Sequence, residues 1–348
     1  MNKQSNKAAI IGTTSWGTTL GLLLARKGLP TTLWARTAEE EATITRNKEN
    51  KKHLPGFPFP HNLQTASSLE KALANARMVI LAIPSQHIRY HAELINKHLT
   101  EHQFIVSVAK GLELNTAKRM TQVISEELNP DFHQNICVLS GPNIANEIAR
   151  GLPATTVVAS YNEQTAVEVQ KLIATSLFRV YVNTDVIGVE LGGTLKNVIA
   201  LAAGMVDGLG YGDNTKAGLI TRGLAEITRL GVAAGASPLT FAGLAGLGDL
   251  VVTCLSPLSR NRYVGQELAK GRSLSEIQST MSGTAEGIIT TAAVLKLSSE
   301  LSVEMPIAAE VNKVLYGGLE VRQGVVELME RELKHEFAYL LNSAIKGL

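Results

Sequence analysis

The chain has 348 residues, 45% hydrophobic and 18% charged, a length that predicts two domains and a composition typical of a soluble globular protein. Its 33 basic and 31 acidic residues leave a net charge of +2, which argues against a nucleic-acid or membrane surface, so any basic site must be local. Cys137 and Cys254 lie in apolar runs and read as small hydrophobes; the polar start from Met1 to Lys7 and the lack of a long uninterrupted apolar stretch predict a cytoplasmic protein without membrane insertion.

In chain order, Ala8-Ala9-Ile10-Ile11 predicts a strand, Gly12 a tight turn, and the stretch through Leu24 a helix. Such a unit aims backbone N–H groups and a helix dipole at a pyrophosphate. The glycine pattern is incomplete: Gly12 and Gly17 stand in place, but Thr14 occupies the middle position. Further strands are predicted at Thr31–Trp34, Met78–Ile83, Phe104–Val108, Ile136–Leu139, Thr155–Val158 and Arg179–Val182. The stiff run Leu54-Pro55-Gly56-Phe57-Pro58-Phe59-Pro60 predicts a surface loop. The alternation of strands and helices implies a doubly wound parallel sheet of the Rossmann type. Past residue 185 helical periodicity takes over at 189–205, 217–230, 264–269, 288–297 and 308–315, so the predicted division is a dinucleotide-binding domain, 1–184, and an all-helical substrate-binding domain, 185–348.

Ligands of such sheets lie beyond the carboxyl ends of the strands. Arg36 follows the second strand at the spacing of the ribose acceptor; a guanidinium there suits the 2′-phosphate of NADP, or else is an exposed loop arginine. Lys110 follows the Phe104–Val108 run beside Gly111, and Ser140-Gly141-Pro142-Asn143-Ile144-Ala145 is a turn that opens a helix. Lys196 and Asn197 sit deep in a small, apolar helical stretch, where an ammonium must reach water, pair with a carboxylate or carry chemistry. His87 and His91, like His98 and His102, stand four apart, but without a third ligand they read as exposed helix faces, and no metal site is predicted.

These runs, with Ser15-Trp16-Gly17-Thr18, Glu190 to Asn197, Gly208 to Thr215, Gly246-Leu247-Gly248-Asp249-Leu250, Ser259-Arg260-Asn261-Arg262, Ala285-Glu286-Gly287 and Met305-Pro306-Ile307, resemble the bacterial NAD(P)-dependent glycerol-3-phosphate dehydrogenases over nearly the whole chain. The resemblance implies hydride transfer between NADPH or NADH, NADPH favoured, and dihydroxyacetone phosphate, giving sn-glycerol 3-phosphate for phospholipid biosynthesis. It implies Lys196 as the proton-transfer residue, with Lys110, Gly141, Asn143, Asp249, Ser259, Arg260 and Asn261 on the substrate. Gly12, Ser15, Trp16, Gly17, Arg36, Lys110, Ala145, Arg260 and Glu286 would hold the cofactor. A homodimer is allowed for. Thr13 and Thr14 depart from the family, which usually carries Ala or Gly and Gly there, and Asn143 stands where Ser or Thr is common.

The residues suit that chemistry. A lysine can stabilise the charge growing on a ketone oxygen and then protonate it, and Lys110 is a candidate like-charged neighbour that tunes Lys196. Asp249 either balances the two lysines or caps the helix through Leu255. Ser259, Arg260 and Asn261 precede a helix, where a hydroxyl, free N–H groups and a guanidinium could converge on a phosphate. Two alternatives remain open: a dehydrogenase of β-hydroxy acids or ketopantoate on the same plan, and a dinucleotide-binding protein without catalysis.

Overall fold

A computed structural model describes residues 7–281, 283–333 and 335–336. The polar start of the chain before Lys7 and the last stretch of the second predicted domain lie outside the described residues. Eight strands form one sheet: β1 (Lys7–Ile11), β2 (Thr31–Trp34), β3 (Leu63–Ala66), β4 (Ala76–Leu81), β5 (Phe104–Ser107), β6 (Ile136–Ser140), β7 (Ala154–Ala159) and β8 (Phe178–Asn183). Their order is β3-β2-β1-β4-β5-β6-β7-β8, with Ile10 paired to Leu33 on one side and Ile80 on the other. The central strands are continuous apolar runs because helices cover both faces; Ala8, Ala9, Ile10 and Ile11 are all fully buried. The order reverses between β1 and β4, which opens a crevice at their carboxyl ends.

Three features differ from the sequence reading. β3 is an edge strand of four residues with only Leu63 and Ala66 buried, too short and polar to signal itself. β7 runs antiparallel to β6, so the sheet is mostly rather than wholly parallel. The connection between them holds the five-residue helix Ala145–Ala149 and returns the chain beside β6 in the opposite sense. The Pro-rich loop is not wholly superficial either: Leu54 is buried, and Phe57 and Phe59 pack on the core.

β8 ends at Asn183, and the central helix Val186–Gly208 begins after the N-cap Asp185, whose Oδ1 accepts the Gly188 N–H at 2.9 Å. Helices Asp213–Ala233, Asp249–Leu255, Arg260–Ala269, Glu286–Glu300 and Pro306–Tyr316 follow. The central helix is long and apolar enough to cross a membrane, yet 94% of that stretch is buried inside the protein, where its side chains form the middle of the second core. The segment Pro238–Leu255 passes the same test of length and composition and is 44% buried.

Candidate functional site

Three local structures converge at the carboxyl edge of the sheet. Lys110 follows β5, Gly141 follows β6, and Lys196 comes from the central helix, one turn past the paired glycines Gly192 and Gly193. Gly192 is needed for close approach: a Cβ there would lie 2.5 Å from the carbonyl oxygen of Ala245. Ala245 belongs to the π-helical turn Leu244–Gly248, closed by the Gly248 N–H donating to the Gly243 carbonyl at 3.1 Å. Such widened turns recur at functional sites. Here the turn delivers Asp249 against the central helix.

The Asp249 carboxylate, 1% exposed, receives both lysines. Lys110 Nζ donates to Oδ2 at 2.5 Å and to the Gly141 carbonyl at 3.0 Å, while Lys196 Nζ donates to Oδ1. Asp249 therefore does not spend its carboxylate on capping a helix. Lys196 Nζ also donates to Thr253 Oγ1 at 2.6 Å, and that hydroxyl donates to the Asp249 carbonyl at 2.6 Å. Burial pulls the Lys196 ammonium down to about 8; Asp249 opposes the fall and Lys110 adds to it. Three charges with a net of +1 are thus held together, and one holds a proton transferable near neutral pH.

Around this cluster the other candidates divide. Asn143 donates from Nδ2 to Thr156 Oγ1 at 3.0 Å, and its buried Oδ1 has no donor among the described residues, leaving an acceptor for a hydroxyl. Ser259 is the N-cap of Arg260–Ala269, its Oγ accepting the Arg262 N–H at 3.3 Å. Asn261 is committed internally: Nδ2 donates to Asn197 Oδ1 and Oδ1 accepts the Gly287 N–H, both at 2.9 Å. Its amide braces the central helix against Glu286–Glu300. Glu286 accepts the Ser85 hydroxyl at 2.8 Å; burial raises its carboxyl, and the Arg260 guanidinium works against that rise.

The crevice at β1 fits a dinucleotide. Gly12 has φ +110°, and a Cβ on it would lie 2.7 Å from the Ala82 carbonyl oxygen; one on Gly17 would lie 2.6 Å from the Gly12 carbonyl oxygen. The following helix, Ser15–Arg26, points its N-terminus into the crevice mouth formed by this turn, with Ala145 packed alongside: its carbonyl accepts the Thr19 hydroxyl at 3.2 Å. Thr14 fills the missing glycine position as a side-chain N-cap, accepting the Gly17 N–H at 3.1 Å and donating to the Ala82 carbonyl at 2.8 Å. Its φ is −59°, so no glycine backbone is required there. Ser15 Oγ donates to the His53 carbonyl at 2.6 Å, and buried Asn50 donates to the Thr13 carbonyl at 2.7 Å. Arg36 is exposed on the loop after β2.

Sequence reasoning missed Thr253, Asn50 and Ser85. Only Thr253 had a usable signal, four residues past Asp249 and so on the same helix face. The expectation that the four histidines face solvent from a helix fails for His91, which is buried edge-on against Trp34 with Nδ1 2.8 Å from the His87 carbonyl. Their helix ends at Asn96, so His98 and His102 lie beyond it.

Comparison with known proteins agrees with this arrangement. Residues 7–166 match the model for the NAD-dependent glycerol-3-phosphate dehydrogenase N-terminus, and residues 185–326 match the model for its C-terminus. A glycerol-3-phosphate dehydrogenase [NAD(P)+] of Dehalococcoides mccartyi is 52% identical over 334 residues, 96% of this chain and 93% of the relative. Another, from Chlorobium limicola, is 48% identical over 94% of this chain and 98% of the relative. The crystal structure of glycerol-3-phosphate dehydrogenase from Coxiella burnetii superposes with a TM-score of 0.89 at 36% identity, covering 94% of this chain and 99% of that one. The two lysines on one buried carboxylate therefore sit in a chain that belongs, through both of its halves, to the NAD-dependent glycerol-3-phosphate dehydrogenase family.

Proposed function

We propose that this chain interconverts dihydroxyacetone phosphate and sn-glycerol 3-phosphate with NAD(P)H, and that Lys196 moves the proton. The observation that carries this reading is the pairing of Lys196 and Lys110 on Asp249, a buried cationic cluster with one readily exchanged proton. When bound, the nicotinamide supplies the hydride. Lys196 stabilises the charge that grows on the carbonyl oxygen and then donates its proton there; in the reverse direction the neutral amine accepts it. Lys110 adds positive potential, and Asp249 with Thr253 keeps the Lys196 ammonium aimed. Ser259 and Arg260 would take the phosphate dianion, a reading supported by their position at the start of a helix. The Gly12–Gly17 turn, Ser15 and Trp16 would hold the pyrophosphate, with Arg36 at the ribose end favouring NADPH.

A small-molecule substrate is the partner we assign. A cytoplasmic setting accords with two buried, free cysteines. Exposed Leu239, Leu255 and Leu258 are surface that a homodimer could cover, which light scattering would read. The deciding experiment is steady-state oxidation of NADPH and NADH with dihydroxyacetone phosphate, beside dihydroxyacetone and ketopantoate. Turnover should require the phosphate. Ketopantoate reduced as well as dihydroxyacetone phosphate would transfer the assignment to the other substrate class, and cofactor binding without turnover would leave a binding protein.

A further inference from the structure

One carboxylate clasps the loops after β1 and β2. Glu40 Oε1 accepts the Thr13 hydroxyl at 2.5 Å, and Oε2 accepts the Arg36 backbone N–H at 3.0 Å. Glu40 stands in the first turn of the helix Ala38–Asn47, whose N-cap Thr37 accepts the Glu40 N–H at 3.1 Å. An acid in that turn is commonly spent on nearby backbone N–H groups, and the bond to Arg36 is of that local kind. The reach to Thr13, across 27 residues, is not. An alanine or glycine at position 13 would have no hydroxyl to make it.

The place of this clasp matters. In sheets of this order the adenosine ribose is held just past the end of β2, next to the turn that faces the pyrophosphate. Arg36 is two residues past that end, and Thr13 lies in that turn. A carboxylate bonded to both loops is therefore held at the ribose end of the crevice, in the first turn of the helix that follows the Arg36 loop.

We infer that Glu40 determines cofactor selectivity: its charge, fixed by Thr13 beside Arg36, opposes the 2′-phosphate of NADPH and tolerates the free ribose hydroxyls of NADH. Arg36 and Glu40 set the preference against each other. The inference rests on the cofactor placement proposed above, and the experiment separates the two. Specificity constants for NADPH and NADH are measured with dihydroxyacetone phosphate on the whole enzyme and on Glu40→Gln, Glu40→Lys, Thr13→Val and Arg36→Ala. The glutamine amide can still accept from Arg36 and donate to Thr13 Oγ1, so Glu40→Gln removes charge while keeping the clasp.

The NADPH to NADH ratio should rise about tenfold in Glu40→Gln, through KM for NADPH, and further in Glu40→Lys. Thr13→Val, which frees the carboxylate to turn into water, should move it the same way by a smaller factor, and reads the effect even if a Glu40 variant fails to fold. Arg36→Ala should lower the ratio. A ratio within about twofold of the parent in every Glu40 and Thr13 variant that folds, while Arg36→Ala shifts it, overturns the inference and leaves the placement standing. Equal losses with both cofactors overturn it too, since a merely structural clasp would behave so. An unmoved ratio in Arg36→Ala removes the placement and the inference together.

Discussion

Lys196 must be charged to protonate the substrate oxygen and neutral to take the proton back, and its surroundings set the pH of that exchange. Burial brings the ammonium down to about 8 with Lys110 assisting, while Asp249 keeps it from falling further. The two directions of the reaction should therefore respond oppositely to pH. For reduction the protonated form is active, so kcat/KM should fall as pH rises through about 8; for oxidation the neutral form is active, and kcat/KM should rise through the same pH. Profiles that are flat from about pH 6 to about pH 10 in both directions would remove Lys196 from the proton path. Lys196→Met keeps the length and apolar bulk, deletes the proton, and leaves the Lys110–Asp249 pair in place. Turnover should drop at least about a hundredfold while the circular dichroism spectrum is retained. Turnover within about threefold of the parent means another group does the work.

At the scale of elements, the cofactor turn solves with a side chain what a glycine usually solves with its backbone. Thr14 caps the helix Ser15–Arg26 and ties it to the Ala82 carbonyl at the end of β4, so its hydroxyl is fully used within the protein. Thr14→Gly should cost about 1 kcal/mol, a small capping loss plus the bond to Ala82, and lower Tm by about 1.5 °C. It also releases the Gly17 N–H and opens the approach for a pyrophosphate, so calorimetry should show cofactor binding tighter by on the order of 1 kcal/mol. Thr14→Ser, which keeps both bonds, is the comparison; binding in Thr14→Gly weaker than in Thr14→Ser would count against the crowding argument. The strand-turn-helix unit was legible because glycine and apolar runs report backbone shape directly. The cap was not, because whether a threonine hydroxyl faces a ligand or a carbonyl depends on the end of β4, 68 residues away in sequence, and so on tertiary context rather than on local pattern. The same limit hid the antiparallel β7, whose apolar run is compatible with either direction, and the burial of His91, which is set by Trp34 across the sheet edge. Lys196 was legible as an oddity in an apolar helix, whereas its partner Thr253 became visible only once Asp249 had been assigned.

For the whole molecule, Asp249 is one place where the two halves meet: Lys110 comes from the loop after β5, Lys196 and Thr253 from the helices, and all three close on one carboxylate or its backbone. Buried ion pairs seldom stabilise a fold more than apolar packing would, but removing one partner strands the others in a low dielectric. Asp249→Asn should therefore destabilise the protein by about 3 kcal/mol, tempered because Lys196, already low in affinity for its proton, can escape by becoming neutral. Adding Lys196→Met to Asp249→Asn removes the stranded ammonium and should recover at least about 1 kcal/mol of that loss, so the double variant is more stable than the sum of its parts. Activity should stay lost, since the proton donor is gone. Urea unfolding of the parent, both single variants and the double variant closes the cycle. Effects that add within about 0.5 kcal/mol would mean that the carboxylate and Lys196 are not energetically coupled, and that the cluster is held by the packing of Gly192 on the π-helical turn instead. Coupling with recovered stability and absent turnover would place the cost of burying Lys196 on the side of chemistry rather than of folding.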